Sequence, residues 1–117
     1  LDVIKNKSLQ QNAKLVGNYF INILEKLKRE FPNFISKISG RGLFIGIDLI
    51  ANGKLLHPNP KVATKLINDL RNKGILLSTD GPFNNVIKIK PPLVFTKENA
   101  NWVCFEIRNF LINENKK

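Results

Sequence analysis

Apolar side chains recur at spacings of three and four residues in three stretches of the chain, and this periodicity predicts three helices. The first ends before Pro32, because the residue that precedes a proline is disfavoured in helical geometry. Asn59 is a suitable N-cap for the second helix, Pro60 is a suitable first residue, and Gly74 closes it. Thr96 caps the third helix. The apolar stripes are Leu9, Ala13, Val16, Phe20, Ile23, Leu24 and Leu27 in the first helix, Val62, Ala63, Leu66, Ile67 and Leu70 in the second, and Ala100, Val103, Cys104, Ile107, Phe110 and Leu111 in the third.

Four short apolar segments lie between the helices and predict four strands. In the second segment apolar residues occupy every other position, which is typical of a strand with one buried face. Gly46 lies on its other face and indicates that a neighbouring group packs closely over it. Asn52-Gly53 and residues 80–82 are turn signals. The strands are expected at residues 34–39, 43–50, 75–78 and 86–90.

The order of elements is helix, strand, strand, helix, strand, strand, helix, which favours a two-layer α+β fold. Its helices would bury their apolar stripes against one face of a small mixed or antiparallel sheet. At 117 residues the chain has the length of one domain, and its 43% hydrophobic and 24% charged residues are ordinary values. No apolar run approaches the roughly 18–20 residues of a membrane span, and no signal-peptide pattern opens the chain. We therefore expect a soluble domain with no membrane partner, in which residues 1–8 either extend the first helix or form a linker.

The net charge of +10 is compatible with nucleic-acid binding, since clustered cations attract phosphate backbones. The Lys and Arg residues are spread over several predicted elements, however, and this favours solvated helix faces. Residues 41–45, Arg-Gly-Leu-Phe-Ile, have a faint similarity to the base-stacking strand of RNA-recognition domains. That role needs exposed aromatic rings, whereas Leu43, Ile45 and Ile47 place aliphatic side chains at alternating positions. An RNA-binding module is one alternative and a structural or dimerisation domain another, and we expect no nucleic-acid partner.

The residue types that most often bind metals are scarce. Cys104 is the only cysteine, so the chain forms neither an internal disulfide nor a cysteine-based zinc site. Its neighbours at helical spacing, Ala100 and Ile107, indicate that it is a core residue. His57 stands beside prolines and is expected at the surface. No metal site is predicted.

Four segments carry a family resemblance. They are Gly-Arg-Gly-Leu-Phe-Ile-Gly-Ile-Asp-Leu at 40–49, Gly-Ile-Leu-Leu at 74–77, Val-Ile-Lys-Ile-Lys-Pro-Pro-Leu at 86–93 and Thr-Lys-Glu-Asn-Ala at 96–100. In this order they resemble the C-terminal small domain of class III pyridoxal-phosphate-dependent aminotransferases, which have fold type I. Residues 76–82, Leu-Leu-Ser-Thr-Asp-Gly-Pro, followed by Asn-Val-Ile-Lys-Ile-Lys-Pro-Pro at 85–92, are most similar to the alanine–glyoxylate aminotransferase 2-like phospho-lyase subgroup. Its members eliminate phosphate and ammonia from ethanolamine phosphate or phosphohydroxylysine and leave an aldehyde.

The resemblance implies that residues 1–117 are one small domain of a larger enzyme. Pyridoxal phosphate, its Schiff-base lysine and the acidic partner of its ring would then belong to a large domain upstream. No catalytic or cofactor-binding residue is therefore expected in this chain, which would be inactive alone. The parent enzyme would be an intracellular homodimer, with a mitochondrial or cytoplasmic location left open. A true transaminase of the same family is the alternative to a phospho-lyase.

The expected substrate contacts are carried by the strand at 86–90 and its neighbours. Ile87 and Ile89 of that strand face one way, and Lys88 and Lys90 face the other. Typical family members have, at the position of Lys88, an arginine that grips the substrate carboxylate. A lysine lacks the planar two-point fork that suits a carboxylate, so its presence favours a substrate whose anion is a phosphate. The alternatives are a solvated strand face for the two lysines, a polar turn for residues 78–80, and subunit or interdomain packing for Arg41. The candidate substrate-binding residues are Lys88, Lys90, Ser78, Thr79 and Arg41.

Overall fold

A computed structural model describes residues 3–41, 44–51, 54–72, 74, 77–91 and 95–116, with positions 3–9, 41, 54–56 and 80 described by their backbone. Within these residues the fold class is α+β, as predicted. The helices are α1 (Val3–Glu30), α2 (Pro60–Asn72) and α3 (Lys97–Asn115), and the strands are β1 (Ile35–Arg41), β2 (Phe44–Ala51), β3 (Lys54–Pro58), β4 (Ser78–Asp80) and β5 (Val86–Ile89).

The end of α1 is as predicted. The Phe31 N–H donates to the Leu27 carbonyl oxygen at 2.9 Å, and Pro32 follows outside the helix. The Phe31 carbonyl then accepts hydrogen bonds from the N–H groups of Phe34 and Ile35, which turns the chain into β1. At its other end α1 already includes Val3, so the segment 3–8 extends the helix and is not a linker.

Both ends of α2 confirm the predicted signals. The Asn59 side-chain oxygen accepts a hydrogen bond from the Val62 N–H at 3.2 Å, and Pro60 is the first helical residue. After the helix, Gly74 adopts a φ of +87°, a conformation that L-residues with a Cβ avoid. Its N–H donates to the Arg71 carbonyl at 3.0 Å.

Thr96 caps α3, as expected. Its hydroxyl accepts a hydrogen bond from the Asn99 N–H at 3.1 Å, and the Asn99 side-chain oxygen accepts one from the Thr96 N–H at 3.0 Å. This reciprocal pair satisfies two backbone donors that the first turn leaves without helical partners.

The described strands form an antiparallel sheet in the order β1-β2-β5-β4, with β3 attached to β2. Ile45 pairs with Ile89, and Ile47 pairs with Ile87, so these isoleucines share one face of the sheet. The helices cover this face, and all four side chains are buried. Burying an apolar side chain of this size contributes about 1.5–3 kcal/mol relative to leaving it in water.

The core combines this sheet face with the apolar stripes of the three helices, as the periodicity predicted. A few predicted stripe members are half-buried at its margin, namely Ala13, Ile23, Cys104 and Phe110, and the side chain of Leu9 lies outside the described residues. The buried members are Phe20, Leu24, Leu27, Phe31, Ile35, Ile38, Ile45, Ile47, Leu49, Val62, Ala63, Leu66, Ile67, Leu70, Leu77, Ile87, Ile89, Ala100, Val103, Ile107 and Leu111.

The strand β3 was not predicted. We expected the chain to run from the turn signal at Asn52-Gly53, which lies outside the described residues, into the start of α2. Instead, Lys54 pairs with Ala51 and Pro58 with Ile50, with an irregular register between the two pairs. A strand this short has too few residues for an alternating pattern, and its pairing depends on the backbone of β2.

The strand predicted at 75–78 is displaced toward the C-terminus. Residues 75 and 76 lie outside the described part of the chain, Leu77 is buried, and β4 occupies Ser78–Asp80. The interpretation of Ser78 and Thr79 as a polar turn is therefore wrong. The turn begins at Gly81, which has a φ of +86°.

Gly46 is closely covered, as predicted. A Cβ built on it would lie 2.9 Å from Ser39 Oγ and 3.4 Å from Val86 Cγ1. Both neighbours belong to the strands that flank β2, and they lie on the sheet face opposite the helices. The absence of a side chain at Gly46 thus lets this second face of the sheet pack tightly beside Lys88, its partner on β5.

Candidate functional site

An open cleft of about 380 Å³ lies on the sheet face that the helices leave uncovered. Residues from three adjacent strands line it: Phe44 begins β2, Lys88 lies within β5, and Ser78 begins β4. The lining residues are Phe44, Leu77, Ser78, Lys88 and Lys90.

The strand register explains why these side chains meet. Ser78 pairs with Lys88, and Lys88 also pairs with Gly46 on its other side. Because side chains alternate along a strand, Lys90 lies on the same face as Lys88. Ile45 pairs with Ile89, so Phe44 comes next to Lys90 and diagonally opposite Lys88.

Two ammonium groups lie over one aromatic ring in this cleft. Lys88 Nζ is 4.1 Å from the centroid of the Phe44 ring, and Lys90 Nζ is 5.8 Å from it. The negative face of an aromatic ring attracts a cation at these distances. Lys88 is half-buried, whereas Lys90 and Ser78 are exposed. The cleft therefore brings two ammonium groups and a hydroxyl group together on one face of the sheet.

Three of the five predicted site residues meet in the cleft: Lys88, Lys90 and Ser78. Thr79 pairs with Ile87 and points to the other face of β4 from Ser78, so it is not among the lining residues. Arg41 pairs through its backbone with Phe44, and its side chain lies outside the described residues. The role of all five residues in substrate binding stays a prediction.

Sequence reasoning missed Phe44 and Leu77 as lining residues. A signal existed for Phe44, because it occupies the polar face of an alternating strand and is apolar. Its ring is 40% exposed, although large apolar side chains on a single domain are more often buried. No comparable signal marks Leu77, which is buried and lines the cleft.

The described residues do not fit a pyridoxal phosphate ring. Such a site needs an enclosed pocket, a lysine for the Schiff base and an acid beside the pyridine nitrogen. In the described part of the chain, Asn85 is the only buried polar side chain, and its amide donates to the Leu49 carbonyl at 3.0 Å. Nor do the described residues bring together three His, Cys, Asp or Glu side chains that could hold a metal ion.

Cys104 is half-buried between α3 and α1, where its thiol lies 3.9 Å from the Ile23 carbonyl oxygen. Burial, followed by the nearby Glu30 carboxylate, raises its pKa to about 11, although Arg108 acts in the opposite direction. A thiol that stays protonated at neutral pH is a poor nucleophile, so Cys104 fits the packing role that was predicted. His57 is exposed, also as predicted.

No helix within the described ranges is both long and apolar enough to cross a membrane. The strand residues Ile45 and Ile47 that an RNA-binding sheet would have to expose are buried under the helices. These two positions therefore offer no aromatic surface for base stacking, whereas Phe44, on the other face of the same strand, is exposed.

The same fold occurs in solved enzymes. A phospholyase from Arthrobacter, in complex with phosphoethanolamine, superposes with a TM-score of 0.83 and 35% sequence identity, over 93% of this chain and 26% of that chain. The fold is therefore that of the small domain in fold-type I pyridoxal-phosphate enzymes.

The sequence comparisons identify the family. The family model described as "Aminotransferase class-III" matches residues 1–111. The chain therefore belongs to this family, whose enzymes depend on pyridoxal phosphate. The alanine–glyoxylate aminotransferase 2-like protein of Drosophila melanogaster is 41% identical over 110 residues, which are 93% of this chain and 22% of that protein. Ethanolamine-phosphate phospho-lyase homolog 1 of Caenorhabditis elegans is 38% identical over 100 residues, which are 85% of this chain and 21% of that protein. The chain thus spans about a fifth of the curated relatives it matches, and the resemblance seen in the sequence is confirmed.

Proposed function

We propose that this chain is the C-terminal small domain of a pyridoxal-phosphate-dependent phospho-lyase and that its cleft binds the phosphate of a phosphorylated amine. The single observation that carries the proposal is the pair of ammonium groups, Lys88 and Lys90, on the open face of the sheet. Next to them, the exposed Ser78 offers a hydroxyl group that can donate to a phosphate oxygen.

The charge of the cleft matches a phosphate better than a carboxylate. A phosphate monoester carries about −1.5 to −2 charges at pH 7 and three acceptor oxygens. Two lysines supply a comparable positive charge and can approach different oxygens, because each ammonium group has three donors. A carboxylate has a single charge and is held best by the planar fork of an arginine, which Lys88 does not provide.

The names of two relatives support the same substrate class. The Caenorhabditis elegans protein is named an ethanolamine-phosphate phospho-lyase homolog, and the Arthrobacter enzyme was solved with phosphoethanolamine. In such an enzyme the cofactor, bound by the rest of the protein, would supply the electron sink for the elimination. The domain would hold and orient the substrate phosphate at Lys88 and Lys90.

The same proposal assigns the partners of the domain. Its open sheet face would cover the active site formed with its own large domain, in a homodimer. Apolar side chains at the surface support contact with further protein, because Leu15 and Trp102 are 66% and 45% exposed. The substrate would be a small phosphorylated amine or amino acid.

A true transaminase is the second candidate, because the Drosophila relative is named as an aminotransferase-like protein. The two functions differ in their products. A phospho-lyase releases inorganic phosphate, ammonia and an aldehyde from phosphoethanolamine, with uptake of one water. A transaminase moves the amino group to a keto acid and releases no phosphate.

The test uses the full-length protein that contains this chain, loaded with pyridoxal phosphate. Release of phosphate and ammonia is measured from phosphoethanolamine and from phosphohydroxylysine, with unphosphorylated ethanolamine as the control. We expect equal amounts of phosphate and ammonia from at least one phosphorylated amine and none from ethanolamine. Amino transfer from alanine to glyoxylate without any phosphate release would contradict the proposal and favour the transaminase.

A further inference from the structure

We propose that Phe44 is a positioning residue, whose ring holds the ammonium groups of Lys88 and Lys90 as a pair that selects a dianionic phosphate. This inference rests on the proposed function and extends it to a residue that would not itself donate a hydrogen bond to the substrate. It assigns the selectivity of the cleft to an aromatic side chain on a neighbouring strand.

The first support is the shared geometry of the two lysines. Their Nζ atoms lie 4.1 and 5.8 Å from the centroid of the same Phe44 ring, although they start from different positions along the chain. Two like charges that lie near each other repel. The electron-rich face of the ring attracts both, which offsets part of this repulsion.

The second support is the exposure of the ring. Phe44 is 40% exposed at the mouth of the cleft, on the sheet face that the helices leave uncovered. A ring that served only to fill the core would lie on the other face with Ile45 and Ile47, which are buried. Its position beside Lys90 and diagonal to Lys88 follows from the pairing of Ile45 with Ile89.

The consequence for binding follows from preorganisation. A lysine side chain has several rotatable bonds, and fixing it when an anion binds costs conformational entropy. If the ring already restricts both side chains, less of this cost remains when phosphate binds. A dianion uses both ammonium groups, whereas a carboxylate can be neutralised by one. Loss of the ring should therefore weaken phosphate binding more than carboxylate binding.

The experiment replaces Phe44 in the full-length, cofactor-loaded protein. Phe44→Leu keeps an apolar side chain but removes the aromatic ring, and Phe44→Tyr keeps the ring. Phenylalanine analogues with one, two and three ring fluorines keep the shape and weaken the attraction for cations stepwise. The KM and kcat for phosphoethanolamine are measured for each variant, together with the inhibition constant of inorganic phosphate. Phe83→Leu is the matched control, because Phe83 is 61% exposed in the turn at the other end of the β4–β5 hairpin.

We expect Phe44→Leu to raise KM and the phosphate inhibition constant about three- to tenfold, with kcat changed less than about twofold, as for lost ground-state binding. Phe44→Tyr should restore both constants, and the fluorinated analogues should raise them in order of fluorine number. A role in folding alone would not produce that order. Equal constants for Leu, Tyr and the fluorinated series in an active enzyme would overturn the role of Phe44.

Failure of the proposed function is distinguishable from failure of this inference. A wild-type protein that releases no phosphate contradicts the phospho-lyase proposal. The role of Phe44 is then tested by calorimetry, which gives the dissociation constant of inorganic phosphate for the same variants. Dissociation constants in the order expected above support the role of Phe44, and equal dissociation constants contradict it.

Discussion

Lys88 reaches from β5 past Gly46 toward the Phe44 ring, so its ammonium group stays at the cleft. A larger residue at position 46 would press against Ser39 and Val86, because a Cβ there would lie 2.9 Å from Ser39 Oγ and 3.4 Å from Val86 Cγ1. Lys88 is half-buried and lines the cleft. We therefore expect that loss of Lys88 weakens the binding of an anionic substrate more than loss of any other cleft residue.

We predict that Lys88→Ala in the full-length enzyme raises the apparent KM for its phosphorylated substrate by on the order of tenfold, as expected for one lost charged contact. Lys88→Arg should retain most of the binding, because it keeps the positive charge. Steady-state kinetics checks both variants against Lys61→Ala, which removes an exposed lysine from α2. A KM that does not change in Lys88→Ala would remove this residue from the site.

The two cleft lysines could be placed from the sequence because Ile87 and Ile89 fix which face of β5 is buried. The contribution of Phe44 could not be predicted from the sequence. It depends on the register between β2 and β5, whose paired residues are about 40 positions apart. Thr79 illustrates the same limit. One step along β4 from Ser78 takes its side chain to the other face.

At the scale of elements, the helices were predictable because each has local signals at its ends and a stripe in its middle. Asn59, Gly74 and Thr96 act through hydrogen bonds to residues within a few positions. The short strand β3 has no such local signal, because it forms through pairing with Ile50 and Ala51. Strands that form only through pairing with another strand are therefore the elements that could not be fully predicted from the sequence.

Gly40 of β1 lies against Ile21 of α1. A Cβ at this position would lie 2.5 Å from Ile21 Cδ1, so the isoleucine would have to move. We predict that Gly40→Ala lowers the free energy of unfolding by about 1 kcal/mol, as overpacking outweighs the gain from a less flexible unfolded chain. In an Ile21→Val background, which lacks Cδ1, the same substitution should be nearly neutral.

Chemical denaturation of the four proteins in this cycle gives the coupling energy between Gly40 and Ile21. We expect about 0.5–1 kcal/mol, which is typical for side chains in direct contact. Gly46→Ala is the control for this cycle. Its effect on the free energy of unfolding should not change in the Ile21→Val background, because the nearest atom to a Cβ at position 46 belongs to Ser39 and not to Ile21. Additive effects of Gly40→Ala and Ile21→Val would show that this contact does not limit the approach of α1 to β1.

At the scale of the whole molecule, the two sheet faces have different environments. One face is buried under the helices and forms the apolar core together with their stripes. The other carries the cleft and leaves Phe44, Ser78 and Lys90 accessible. Two of the cations that contribute to the net charge of +10, Lys88 and Lys90, lie over one aromatic ring on this open face. The open face is thus where we expect the rest of the enzyme and its substrate to meet the domain.

Thiol labelling of the full-length enzyme can locate that meeting surface. We predict that phosphoethanolamine, or inorganic phosphate, slows the alkylation of Ser78→Cys several-fold, because a bound anion covers the edge of the cleft. Thr64→Cys is the control, since Thr64 is exposed on α2, which packs against the other face of the sheet. Cys104 should contribute little background, because its pKa of about 11 leaves few thiolates at neutral pH. Equal protection of both introduced cysteines would indicate a general stabilisation, and no protection at position 78 would place the anion elsewhere.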